Sequence, residues 1–109
     1  MMQVIVASNF SREAKRLFKK YQSLVEEIAV LIEELAENPT QGTSIGRDCY
    51  KIRMSIKSKG KGKSGGGRII TCVKITAETV TLISIYDKSE QEDIPDNLLL
   101  ALLKENNLL

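Results

Sequence analysis

The 109-residue chain predicts an α+β fold in the order β-α-α-β-β-β-α, and three observations carry that reading. The apolar period changes from strand-like to helical near Phe10 and returns to two near Tyr50. Pro39 stops the helical pattern, because a residue before proline is pushed out of the helical region. Two β-branched runs late in the chain are separated only by Ala77 and Glu78, the spacing of a hairpin. The expected product is a small, twisted, mostly antiparallel sheet with an N-terminal helical hairpin packed on one face.

Each element has its own signature. Residues 2–7, MQVIVA, are apolar and partly β-branched, a short strand. Phe10, Ala14, Leu17, Phe18 and Tyr21 then share one helical face, with Arg12, Lys15, Arg16, Lys19 and Lys20 outward. A second helix opens with a capping-box pattern, Ser23-x-x-Glu26, and runs to Asn38. Its inner face is Leu24, Ile28, Leu31 and Leu35, flanked by Val25, Ala29 and Ile32. The junction at Gln22 is so short that the two helices should pair antiparallel. After a connection NPTQGTSIG, Tyr50, Ile52, Met54 and Ile56 alternate with Lys51, Arg53, Ser55 and Lys57. The apolar set should face the helices and the basic set should face outward. Residues 68–76 and 79–86 form two more strands, and 95–109 a leucine-rich helix capped by Asp93 or Asp96.

Composition narrows the class. A chain this long supports one domain over residues 1–109 without staples. Cys49 and Cys72 lack C-x-x-C spacing and read as reduced thiols. The start MMQVIVASNF has no basic n-region, and no stretch has the length of a membrane span. A cytoplasmic location and no membrane partner follow as expectations.

Net charge is only +2, but residues 47–74 carry nine Lys/Arg against the single acid Asp48, a local +8. The remaining residues hold seven basic and thirteen acidic groups, or −6. Such a concentrated field attracts polyanions. Its centre is KSKGKGKSGGGR, residues 57–68. Gly60-x-Gly62-x-x-Gly65 matches the dinucleotide-binding pattern, and Gly62-Lys63-Ser64 imitates the end of a P-loop. Both motifs must open a helix whose N-terminus meets phosphate, whereas a strand follows here. The P-loop glycine is also replaced by Lys57. The stretch is better read as a flexible, cation-bearing connection between strands.

Parity places a candidate site beside it. Lys51 and Arg53 share a face, and Arg68, Ile70, Cys72 and Lys74 share another parity that brings Arg68 alongside them. Tyr86 and Lys88 end the last strand on the same side. Arginine forks grip phosphate bidentately, so this set suits a phosphodiester. The blander alternatives are a solvated sheet face for Lys51 and Arg53, and a core aromatic for Tyr86. The chain has no histidine, so proton transfer would fall to Lys51, Lys88, Tyr86, water or the substrate itself. A lysine among cations has its ammonium form disfavoured and moves toward a usable base. No carboxylate cluster stands on the basic face, and neither a metal nor another cofactor is expected.

The run DCYKIRMSIKSKGKGKSGGGRIITCV, followed by TLISIYDKSEQEDI, resembles the RelE/ParE superfamily of toxins from bacterial type II toxin–antitoxin systems. Within it the likeness runs to the HigB/RelE-like members with a lysine-glycine loop. The element order matches over essentially the whole chain, including the KKYQSL junction and the ENPTQG turn. The resemblance implies an endoribonuclease, or mRNA interferase, that cleaves mRNA, in many members on the ribosome. The RNA's own 2′-hydroxyl attacks phosphorus without a metal, leaving a 2′,3′-cyclic phosphate. It also implies a cognate antitoxin, a small DNA-binding protein. Lys51, Arg53, Arg68 and Lys88 match the family's basic positions and, with Tyr86, form the candidate catalytic set. Lys57, Lys59, Lys61, Lys63 and Lys74 form the candidate RNA- or ribosome-binding set, expected to be mobile and to touch phosphate. Three positions depart from the pattern: Ser89 stands where RelE has a further arginine, nothing beyond Tyr86 is aromatic, and Thr71 replaces a common tyrosine. Two alternatives remain, a ParE-like gyrase poison without nuclease activity and an inert RNA-binding relative.

Overall fold

The computed structural model describes residues 1–60, 62 and 65–109. Strand β1 (Gln3–Val6) leads into helices α1 (Ser8–Phe18) and α2 (Leu24–Glu37). Strands β2 (Thr43–Gly46), β3 (Cys49–Met54), β4 (Gly67–Lys74) and β5 (Thr79–Asp87) follow, and helix α3 (Asp96–Glu105) comes last. The sheet order is β1-β5-β4-β3-β2; β1 runs parallel to β5, and every other pair is antiparallel. This is the α+β arrangement that the periodicity predicts, with one strand more.

The helical hairpin sits where the apolar pattern sends it. α1 buries Phe10, Ala14 and Leu17, and α2 buries Leu24, Ile28, Leu31 and Leu35, spacings that keep one stripe inward. These side chains pack on Ile52, Ile56, Ile69, Val80, Leu82 and Ile85, with Tyr50 and Met54 at the margin. Leu82 and Ile85 are three apart yet face the same core because β5 is bulged. Ile70 pairs with Ser84 but Thr71 with Leu82, leaving Ile83 as the extra residue. Glu13 compensates: its Oε1 accepts the Ser84 hydroxyl at 2.8 Å and the Ile85 N–H at 3.2 Å.

The opposite face is only partly open, which the alternating pattern does not reveal. Ile94, Leu99, Leu102 and Leu103, from α3 and its approach, cover Cys49, Ile70, Cys72 and Ile83 in a second core. β4 and β5 are therefore buried on both faces over most of their length, as their continuous β-branched runs require. Cys49 and Cys72 are register partners there, both buried and free.

Four local expectations are corrected. β2 falls within what the sequence predicts as a connection, since its Thr-Ser-Ile-Gly sequence is mostly exposed and lacks an apolar rhythm. It turns into β3 through Gly46, Arg47 and Asp48, all at left-handed φ (87°, 54° and 63°). β3 stops at Met54, and the chain then makes a 3-10 turn at Lys57–Lys59 ended by left-handed Gly60. Ser23 forms no capping bond; its hydroxyl instead donates to the Glu27 carboxylate at 3.0 Å. α3 is shorter than the leucine-rich run and begins without a side-chain cap, since Asp93 accepts the N–H of Ile94 and Asp96 lies inside the first turn. Among the described residues, no helix is long and apolar enough to cross a membrane.

Candidate nucleic-acid interface

Three of the predicted cations, Lys51, Arg53 and Arg68, gather on one face of the sheet. Arg53 on β3 pairs in register with Arg68 on β4, and Arg68 pairs with Tyr86 on β5. Cross-strand partners project together on one face, so the three side chains make a single row. Lys51 lies two residues along β3 and therefore on the same face. Arg53 is exposed, whereas Arg68 is only 5% and Tyr86 only 2% accessible. The Arg68 guanidinium donates to the carbonyl of Gly67 at 3.0 Å. Tyr86 thus has the buried body of a core aromatic, packed in the second core, and a hydroxyl at the edge of the row.

The glycines shape this end instead of cradling a nucleotide. A Cβ on Gly66 would stand 2.1 Å from the carbonyl oxygen of Met54, so only glycine brings the chain back against β3. The carbonyl of Gly66 accepts the N–H of Lys88 at 3.0 Å, which ties the end of β5 to the start of β4. The first part of the loop is clamped as well. Ser23 and Ser58 exchange N–H to hydroxyl bonds of 2.7 and 2.9 Å, and the Lys57 N–H donates to Glu27 at 2.9 Å.

Two acidic residues stand over the row, Glu92 and the Asp93 that the sequence offers only as a helix cap. Asp93 Oδ1 lies 3.3 Å from the Lys51 ammonium and 3.3 Å from the Tyr86 hydroxyl, which donates to it. Glu92 pairs with Lys88 at 2.9 Å. Lys51 therefore does not sit in the purely cationic surroundings expected of it. Burial, followed by the charge and hydrogen bond of Asp93, pushes the Tyr86 hydroxyl up to about 12. At neutral pH it keeps its proton and serves as a donor. Burial opposes ionisation of Asp93, but the Ile94 N–H and the Lys51 ammonium outweigh it and hold the carboxyl below its ordinary range.

Lys59 belongs to a different structure. Its ammonium donates to the carboxylate of Asp87, which is wholly buried, and to the Ser89 hydroxyl at 3.0 Å. Asp87 also accepts the Tyr21 hydroxyl at 2.5 Å and the N–H and hydroxyl of Ser89 at 2.9 and 2.7 Å. Desolvation would raise the Asp87 pKa, but Lys59, Tyr21 and Ser89 together drive it well below the usual carboxylate range. With its side chain only 8% accessible, Lys59 is a structural cation, not the mobile phosphate contact expected. The signal for this role was Asp87 itself, an acid ending an apolar strand.

The remaining predicted positions disperse. Lys74 ends β4 six residues from Arg68, about 20 Å along a strand, and pairs with Asp48 at 2.9 Å. It does not join the row. Lys57 is exposed, while Lys61 and Lys63 lie outside the described residues.

No protein-family model matches the chain. Among solved structures, a free-state mutant of the E. coli toxin RelE aligns with a TM-score of 0.59 at 19% identity. The alignment covers 84% of this chain and 87% of that one. The five-stranded sheet with its helical hairpin and C-terminal helix has the RelE fold.

Proposed function

We propose that the chain is a RelE/ParE-superfamily toxin of a type II toxin–antitoxin system, of the HigB/RelE-like kind, acting as a metal-independent endoribonuclease on mRNA. The observation that carries this reading is the cross-strand row Arg53, Arg68 and Tyr86 with Lys51 beside it. In the reaction the RNA 2′-hydroxyl gives its proton to water as its oxygen bonds to phosphorus, and the bond to the 5′-oxygen breaks, leaving a 2′,3′-cyclic phosphate and a 5′-hydroxyl. Two guanidinium groups on one face suit the growing charge on the non-bridging oxygens, because their charge is fixed and their donors are preorganised. In this reading Tyr86, which holds its proton at neutral pH, gives it to the departing 5′-oxygen and recovers one from water. Lys51 and Lys88 neutralise the flanking phosphates. The cognate antitoxin and the ribosome are the partners this reading calls for, and a bacterial cytoplasm its setting.

The experiment is to map transcript 5′ ends genome-wide within minutes of inducing the chain. New ends inside open reading frames, carrying 5′-hydroxyls, are expected. Growth arrest without new ends, accompanied by trapped gyrase–DNA complexes, would replace the nuclease with a gyrase poison. Neither arrest nor cleavage would leave an inert RNA-binding relative.

A further inference from the structure

We propose that residues 89–94, between β5 and α3, are a built-in phosphate surrogate: the carboxylates of Glu92 and Asp93 occupy the positions where Lys88, Lys51 and the Tyr86 hydroxyl would take up RNA phosphates, and RNA binds by displacing them. The inference rests on the nucleic-acid reading above and adds an autoinhibitory contact to it.

The segment is built to be held at its ends and released at its crest. At one end Glu90 pairs with Arg16 at 3.0 Å and Lys20 at 3.4 Å on and just beyond α1. At the other end Ile94 is buried in the second core. Between them Asp93 reaches Lys51 and Tyr86, and Glu92 reaches Lys88 through its carboxylate at 2.9 Å and its carbonyl at 3.2 Å. The Gln91 side-chain amide, which donates to the Asp93 carbonyl at 3.0 Å, keeps the crest compact. Three members of the candidate catalytic set are thus engaged by two consecutive acids.

Both acids are exchangeable. The Asp93 side chain is 59% exposed and that of Glu92 92%. Ion pairs this exposed are weak and are readily traded for a phosphate that brings equal or greater charge. The buried Lys59–Asp87 pair lacks that freedom, because breaking it would strand a charge out of water. Displacing Glu92 and Asp93 together takes two phosphates, so a polynucleotide competes where a mononucleotide does not. The arrangement also screens the row from indiscriminate contact with other polyanions.

The test measures binding of a single-stranded RNA oligomer with 2′-O-methyl groups throughout, which cannot be cleaved, by fluorescence anisotropy over a range of salt. Glu92→Gln and Asp93→Asn are combined; asparagine retains an acceptor oxygen for Ile94 and Tyr86, and melting curves check the fold. Glu92→Gln alone is the second variant, since Glu92 stands in solvent and its replacement leaves folding intact. Exposed Glu33 on α2, replaced by glutamine, controls for net charge. The double variant should bind about tenfold tighter and the single one about threefold, the scale of exposed pairs. Its plot of log affinity against log salt should keep the wild-type slope, because once the acids are displaced the same cations meet phosphate in both proteins. Wild-type binding that these changes leave unaltered, or an equal gain from Glu33→Gln, overturns the surrogate and leaves the nuclease reading standing. Absence of binding by all variants, wild type included, overturns the nucleic-acid reading and the surrogate with it.

Discussion

Two lysines of the same basic stretch, Lys51 and Lys59, each hold an aspartate, and the two pairs differ in what surrounds them. Lys51 meets Asp93 on the open end of the sheet, where both side chains retain access to water. Lys59 meets Asp87 beneath the helical hairpin, with Tyr21 and Ser89 filling the other acceptor positions. The first pair, open to water, is weak and readily replaced. The second is a satisfied network, costly to break because either partner left alone is a buried charge. The residue types are the same in both pairs; burial sets the two apart.

The contrast can be broken most sharply at Asp87. Replacing it with alanine leaves the Lys59 ammonium buried without its carboxylate and should cost about 3–5 kcal/mol in urea unfolding. The same change at Asp93 should cost no more than about 1 kcal/mol, as expected of an exposed pair. Equal losses would erase the distinction. A smaller contrast lies within the loop. Lys59→Gln should lower stability by about 1–3 kcal/mol, since a charged donor to Asp87 is lost. Lys57→Gln, on an exposed side chain, should stay within about 0.5 kcal/mol while weakening RNA binding. The reverse ranking would return Lys59 to the binding surface.

The mildest test uses acid. The Asp87 pKa is depressed in the folded state, so the native protein binds fewer protons than the unfolded chain, whose aspartates titrate near about 3.9. Its contribution is present above that pH and is lost as pH falls through the lower folded value. Melting temperature should therefore decline more steeply between about pH 4 and pH 2 in the wild type than in Asp87→Asn. Parallel curves would mean that Asp87 is ionised no more readily than an ordinary aspartate.

Much of this architecture can be read along the chain, where periodicity and burial agree. Leu24, Ile28, Leu31 and Leu35 announce an inward helix stripe, and Tyr50 to Ile56 announce a two-faced strand. The parity that set Arg68 beside Arg53 is the register found. What was hidden depends on contacts distant in sequence. β2 owes its existence to pairing with β3, since its own residues carry no rhythm. The bulge at Ile83 and the burial of Cys72 beneath α3 cannot be inferred from alternation alone. Lys59 looked like its neighbours because its partner lies 28 residues away. Glu92 and Asp93 were visible as acids, but only the path of residues 89–94 lays them over Lys88 and Lys51.

The central claim, that the row around Arg68 works on RNA phosphate, is tested most directly by mapping transcript ends after induction of Arg68→Ala and Arg68→Lys beside the wild type. Thermal melting should show all three folded. Cleavage and growth arrest should vanish in Arg68→Ala and return only slightly in Arg68→Lys, because an ammonium offers a point charge in place of a planar fork. An Arg68→Ala protein that arrests growth as strongly as the wild type, with no new transcript ends from either, would contradict the account.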